Sequence, residues 1–419
     1  MILKKDLKAM IVLILYKIIL EITYIKVIVP IYGYSGFQND FKISYYLFYW
    51  LIFLLFMKPV INLYSYEKPS SMIMLIFCMV AMIPGFVIQS FMPQSKLFVL
   101  CFISYWFFML LFNQIIPSIK FKLKFQDSIL IYIIALVFTV LVLYISGKYT
   151  NFRLNFNLLN VYELRDIATD FQMSTILSYG FSAAKVCLPI MFVFFIERKQ
   201  IFISIIIAFV QFLAFSVDGS KSTLFSIVIT YIIYKFIRTI TVKNISSIIF
   251  LTSLIAILEP VIIKTNYIIL FLIRRVFFIP NLLNFYYFDF FLQNKKDYFT
   301  QGILGRFGLA SNYELPIPKI IGFNYFNSTE MIANNGLFSD AYYNMGIFGL
   351  LLLPLLLVLI LKLLDGCAEG IQMNILIASI ITTSYTFISS SFFTVLLTHG
   401  FLLTCLVLYL IPKKVKTNE

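Results

Sequence analysis

The stretch "AYYNMGIFGLLLLPLLLVLILK", residues 341–362, holds a single charge, Lys362, and that charge stands at its last position. Wound as an α-helix at about 1.5 Å per residue, it measures about 33 Å, enough to cross a hydrocarbon layer about 30 Å thick. It reads as a membrane span. Comparable runs lie near 9–30, 43–64, 72–92, 97–116, 128–146, 173–196, 201–217, 221–238, 246–264, 371–389 and 392–411. That makes about twelve predicted transmembrane helices. Only the polar run "TTSYTFISSS" separates the last two, so eleven helices and one re-entrant segment is the competing count.

Composition agrees. The 419 residues are 61% hydrophobic and 12% charged, with a mean hydropathy of +0.95; soluble chains carry about a quarter charged residues. The predicted class is an all-α polytopic membrane protein, a single integral membrane domain over 1–419. The net charge of +14 is spread in short basic clusters between apolar runs. That pattern belongs to topology signals and contact with the lipid bilayer, and it speaks against nucleic acid. The five cysteines have no metal-ligand spacing. No carboxylate cluster, phosphate loop or Ser/His/Asp arrangement stands out, so no metal or cofactor is expected. The N-terminus lacks a signal-peptide cleavage site and reads as a retained first helix.

Charge sets the orientation. With both termini in the cytoplasm, Lys4, Lys5, Lys8, Lys120, Lys122, Lys124, Arg198, Lys199, Lys235, Arg238, Lys362 and Lys413 all fall inside, while the short outer connections hold chiefly Lys42 and Lys96. Two longer segments, 147–172 and 265–340, then face outward as periplasmic loops. The first half of 265–340 is apolar and aromatic. It is expected to lie in the interface, or dip into the bundle, as short helices broken at Pro280.

Chemistry must come from cations. Arg274 and Arg275, in "FLIRRVFFIP", are adjacent, so on a helix they point about 100° apart and serve one ligand unequally. A guanidinium fork suits a phosphate, while snorkelling to headgroups or pairing with Asp289 is the plainer use. In "FSVDGSKSTLFS" Lys221 opens a predicted helix after a turn containing Asp218. That is an anion site or, alternatively, an Asp218–Lys221 pair. Arg153 and Arg165, with Glu163 between them, form either a basic arm or an amphipathic helix. Arg306 is flanked by glycines. Lys17 and Glu21 read as a self-neutralising pair, and His399 as a bundle-interior group.

The sequence resembles the bacterial O-antigen and capsule repeat-unit polymerases. The likeness is carried by "DGSKSTLFS" at 218–226, "RRVFFIPNLLNFYYFDFF" at 274–291, "NNGLFSDAYYNMGIFGLLL" at 334–352 and the long outer loop. Family members often have arginine where this chain has Lys221. The resemblance implies a metal-independent, lipid-sugar glycosyltransferase fold of the GT-C-like kind in the bacterial inner (cytoplasmic) membrane. It implies substrates that are undecaprenyl-diphosphate-linked glycans, joined on the periplasmic face, with a chain-length regulator and a repeat-unit flippase as neighbours. Arg274, Arg275 and Lys221 would hold the leaving diphosphate, and Asp218, Arg153, Arg165, Arg306, Asn334, Asn335, Asp340 and Tyr343 would bind substrate. Tyr286, Tyr287, Tyr342 and Tyr343 are candidates to stack on sugars. An O-antigen ligase, or a flippase or other secondary transporter, are the alternatives.

Overall fold

A computed structural model of the chain describes residues 2–63, 68–121, 128–155, 164, 167–168, 170–236 and 241–412. The elements, in order, are α1 (2–32), α2 (Ile43–Asn62), α3 (Pro69–Phe91), α4 (Lys96–Ile115), α5 (Ser128–Thr150), α6 (Thr175–Glu197), α7 (Ile201–Asp218) and α8 (Lys221–Phe236). There follow α9 (Val242–Ile262), α10 (Ile269–Gln293), α11 (Ile317–Phe326), α12 (Phe338–Cys367), α13 (Met373–Ser389), α14 (Phe392–Leu397) and α15 (Phe401–Leu410). The described residues contain no strand. Eight helices (α2 to α7, α10 and α12) are long and apolar enough to cross a membrane. Four shorter apolar ones lie within α8, α9, α13 and α15. The predicted last span divides at Gly400 (φ +70°), which leaves His399 at the break between α14 and α15.

Hydrophobic runs set where these helices form, and side-chain caps set where some start. Ser95 accepts from the Phe98 amide at 3.2 Å, Ser174 from Leu177 and Thr241 from Asn244. Each cap contributes about 1 kcal/mol by satisfying an amide with no intrahelical partner. Proline shapes three helices differently. Residues 24–28, 78–82 and 269–278 are wound as π-helix, and each run is followed by Pro30, Pro84 or Pro280 at the second position of the next α-turn. A proline clashes with the carbonyl four residues back and has no amide to give it. Widening the preceding turns moves that carbonyl aside without ending the helix. Short helices broken at Pro280 are therefore not what forms: α10 continues from Ile269 to Gln293, 25 residues in all.

The chain divides into two compact units. The first comprises Met1–Pro117, Ile240–Lys362 and Ser384–Phe393; the second comprises Ser118–Thr239, Leu363–Thr383 and Thr394–Glu419.

In the first unit α1 packs along α9, and α2 along α3. The connections 33–42 and 92–95 meet at one end, where the Asp40 amide donates to the Phe91 carbonyl at 2.7 Å. α10 meets several neighbours along its length. Arg274 meets Tyr32 of α1, Phe278 lies 5.5 Å from Tyr24, and Asn281 abuts Gly85 of α3. Phe285 and Phe288 then reach Phe98 of α4, and Phe288 reaches Tyr342 of α12. α10 keeps α3 beside it along both its π stretch and the α-helix that follows, and meets α1, α4 and α12 on the way. The π turns of α1 and α3 both pack against that of α10.

In the second unit α6 and α7 pack together, with α5, α8 and α15 against α6.

Candidate functional site

Helix α10 begins at a fixed point. Glu259, buried near the end of α9, accepts from the Tyr267 amide at 2.7 Å, the Ile268 amide at 2.9 Å and the Thr265 hydroxyl at 2.9 Å. A carboxylate on the first free amides of a helix satisfies them and complements its dipole. From there the chain reaches Arg274. Its guanidinium lies 4.8 Å over the Tyr32 ring, and Nη2 donates to Ser35 Oγ at 2.9 Å. Its Nε is buried with no partner, and no carboxylate of the described residues pairs with it. Arg275 is exposed. The two neighbours are thus unequal, as their angular separation requires.

Ser35 is held from both sides. Tyr286, three turns along α10 from Arg274, donates to the Ser35 carbonyl at 3.3 Å and stacks on Tyr325 at 4.4 Å. Gly36 follows with φ +99°, and a Cβ there would stand 1.7 Å from the Tyr286 hydroxyl. Only glycine satisfies both the backbone and the space. Tyr34 is 80% exposed beside this contact. Asp289, the expected arginine partner, instead accepts from the Tyr325 hydroxyl at 2.6 Å.

Lys296 lies just beyond the other end of α10, about 30 Å of helix from Arg274 at about 1.5 Å per residue. Its ammonium stands 4.3 Å over the Tyr342 ring and donates to the Phe291 carbonyl, and no carboxylate of the described residues pairs with it. Burial pushes it down to about 8. The loop that carries it is pinned to α12: the Asp297 amide donates to the Tyr343 carbonyl and the Phe299 amide to Asn344 Oδ1. Gly346 (φ +59°) kinks α12 where the Lys296 side chain passes, 3.1 Å from where a Cβ would be.

Other sequence-predicted residues of this unit serve as ties. Both Asp340 oxygens are engaged, one by Asn344 Nδ2 at 2.9 Å and one by the Phe392 amide at 2.7 Å. Asn335, also buried, donates to the Pro280 carbonyl, Asn284 Oδ1 and Ser339 Oγ. Tyr343 packs 5.5 Å from Tyr287 and 5.7 Å from Phe291. Tyr287 itself is buried and donates to the Ala333 carbonyl. Asn334 is exposed, as is Arg306 on the 3-10 turn Leu304–Phe307.

The second unit holds the "DGSK" turn. Asp218 closes α7, Gly219 turns the chain at φ +65°, and Asp218 Oδ1 accepts from the Ser220 amide at 2.9 Å. Asp218 Oδ2 pairs with Lys185 of α6 at 2.5 Å, and Lys185 stands 4.7 Å over the Phe181 ring. Lys221 is the first residue of α8; its side chain lies outside the described residues, as do Arg165 and Glu163. Arg153 is exposed in the turn after α5. No group that could hold a metal ion occurs among the described residues.

Sequence reasoning missed Ser35 and Tyr32 as companions of Arg274, and Lys185 as the partner of Asp218. A serine between tyrosine and glycine in a turn was the only local signal for the first set. No protein-family model matches the chain, and neither a curated protein nor a solved structure does.

Proposed function

We propose that this protein is a repeat-unit polymerase of the O-antigen or capsule kind, with a GT-C-like fold in a bacterial inner membrane. It joins undecaprenyl-diphosphate-linked oligosaccharides on the periplasmic face, and a chain-length regulator and a flippase work beside it. The supporting observation is Arg274: a cation at the end of an apolar bundle, seated by Tyr32 and Ser35, with a donor unspent and no ion-paired carboxylate among the described residues. A lipid diphosphate supplies a counter-charge.

In the reaction the anomeric carbon–oxygen bond to the diphosphate breaks, and a bond to an acceptor hydroxyl oxygen forms as that hydroxyl's proton passes to water. Charge grows on the departing oxygen. A guanidinium already held in place stabilises it with little reorganisation, and one such donor lowers the barrier by about 2.7–4 kcal/mol. Lys296 is a second cation of the same unit, suited to a later stretch of substrate. Tyr34, with most of its ring exposed, offers a face for a sugar. The carboxylates of Asp340 and Asp218 are engaged, Asp340 by two donors and Asp218 by Lys185. Positioning of the two substrates therefore carries more of the load than proton abstraction.

A ligase would lean on an outer-loop histidine; the one histidine, His399, sits at the α14–α15 break. The test is genetic and chemical together. Deleting the reading frame should leave surface glycan of single repeat length, restored to long chains by the wild type and not by Arg274→Ala. Accumulation of finished lipid-linked polymer would indicate a ligase instead. Repeat units retained on the cytoplasmic face would indicate a flippase.

A further inference from the structure

A groove of about 610 Å³ runs between α1 and α2, within the range of lipid and small-molecule sites. Its side wall is apolar and open: Ile18 is 37% exposed and Ile22 42%. Its inner wall is not. Glu21, 5% exposed, lines the groove with Tyr46, Trp50 and Asn39. One Glu21 oxygen is taken by Lys17, which is fully buried and lies 4.0 Å over the Trp50 ring. The other accepts the Tyr46 hydroxyl, at a long 3.3 Å, with the Trp50 indole beside the same carboxylate. A carboxylate has about four acceptor sites, so about one remains open.

We propose that this groove binds a neutral lipid with a free hydroxyl close to its chains, diacylglycerol being the type. The chains lie on Ile18, Ile22 and the Trp50 face, and the hydroxyl donates to Glu21. Asn39, toward the 33–42 connection, can donate to an ester carbonyl. The charge of the head group follows from the pair itself. Lys17 and Glu21 sum to zero, so the site attracts no ion. An anionic head would meet the Glu21 carboxylate, and a cationic one would meet Lys17. Hydrocarbon alone would leave an acceptor site of a buried carboxylate facing chains, which is costly. This proposal does not rest on the polymerase reading and survives its failure.

The experiment is native mass spectrometry of the detergent-purified full chain, titrated with dioleoylglycerol, phosphatidylglycerol or phosphatidylethanolamine. One molecule of dioleoylglycerol should bind saturably, and about tenfold more weakly to Ile22→Trp, which fills the groove from its exposed lip. Phe107→Trp, on an exposed position of α4, should bind as the wild type does. Equal retention by Ile22→Trp overturns the proposal. So does equal or tighter saturable binding of either charged phospholipid that Ile22→Trp abolishes. Matching thermal melting of the variants confirms that lost binding is not lost fold.

Discussion

Arg274 and Arg275 are adjacent in sequence, yet the structure predicts very different consequences for their removal. Arg274→Ala deletes the seated guanidinium. If it stabilises the departing diphosphate, the barrier rises by about 2.7–4 kcal/mol, or about 10²–10³-fold in rate. Some stability goes as well. The charged bond to Ser35 is worth about 1.5–3 kcal/mol and the Tyr32 contact about 0.5–1 kcal/mol, against which a large membrane bundle should still fold. Arg275→Ala removes an exposed side chain and should cost less than about threefold, consistent with surface positions generally. Arg274→Lys keeps the charge but loses the fork, so it should fall between the two. Ser35→Ala leaves the cation and removes its seat, an effect of about tenfold if one ordinary hydrogen bond sets the position. Glycan chain-length profiles in a deletion strain, normalised to membrane abundance of each variant, read all four. Long chains at normal yield from Arg274→Ala would refute the reasoning. So would equal losses from Arg274→Ala and Arg275→Ala.

Lys296, held down to about 8 by burial, should impose an alkaline limb on activity as its ammonium deprotonates above that pH. Lys296→Arg should carry the limb beyond the accessible range, which a pH profile in membranes would register. For stability the sign is opposite: between pH about 8 and about 10.4 the unfolded chain binds the extra proton, so the fold gains as pH rises. Gly36→Ala should destabilise by about 1–3 kcal/mol through left-handed backbone and the Tyr286 clash. Tyr286→Phe in the same chain should recover part of that loss in thermal melting, because the atom in conflict is the hydroxyl. Glu259→Gln leaves one acceptor oxygen for three donors; a loss of about 1–3 kcal/mol is expected, with a fall in Arg274-dependent activity.

The helices were legible wherever the apolar run was long and clean. Predicted edges at 43–64, 97–116 and 201–217 meet Ile43–Asn62, Lys96–Ile115 and Ile201–Asp218. The last predicted span failed only at Gly400, where a left-handed residue interrupts an unbroken hydrophobic pattern. The 265–340 region was harder because Arg274, Arg275 and Pro280 resemble punctuation, and hydropathy does not foresee a π turn absorbing a proline. The contacts of the candidate site were illegible for a different reason. Arg274 and Ser35 are 239 residues apart, and Asp218 and Lys185 are 33. No periodicity links such pairs; i, i+3 and i, i+4 reasoning pointed to Lys221 for Asp218 and left Lys185 aside.

The position of α10 also has a bearing on how the protein is made. Its contacts reach back to residues 24–36 and 85–98 and forward to 333–342. Synthesis from the N-terminus delivers α1, α3 and α4 long before the helix that packs against all three, and its contacts with α12 come later still. Such distant pairings bear a high loop-closure cost and form late. Until then these three helices present an uncovered, aromatic-lined face to the lipid, the interval in which an insertion chaperone has most to protect.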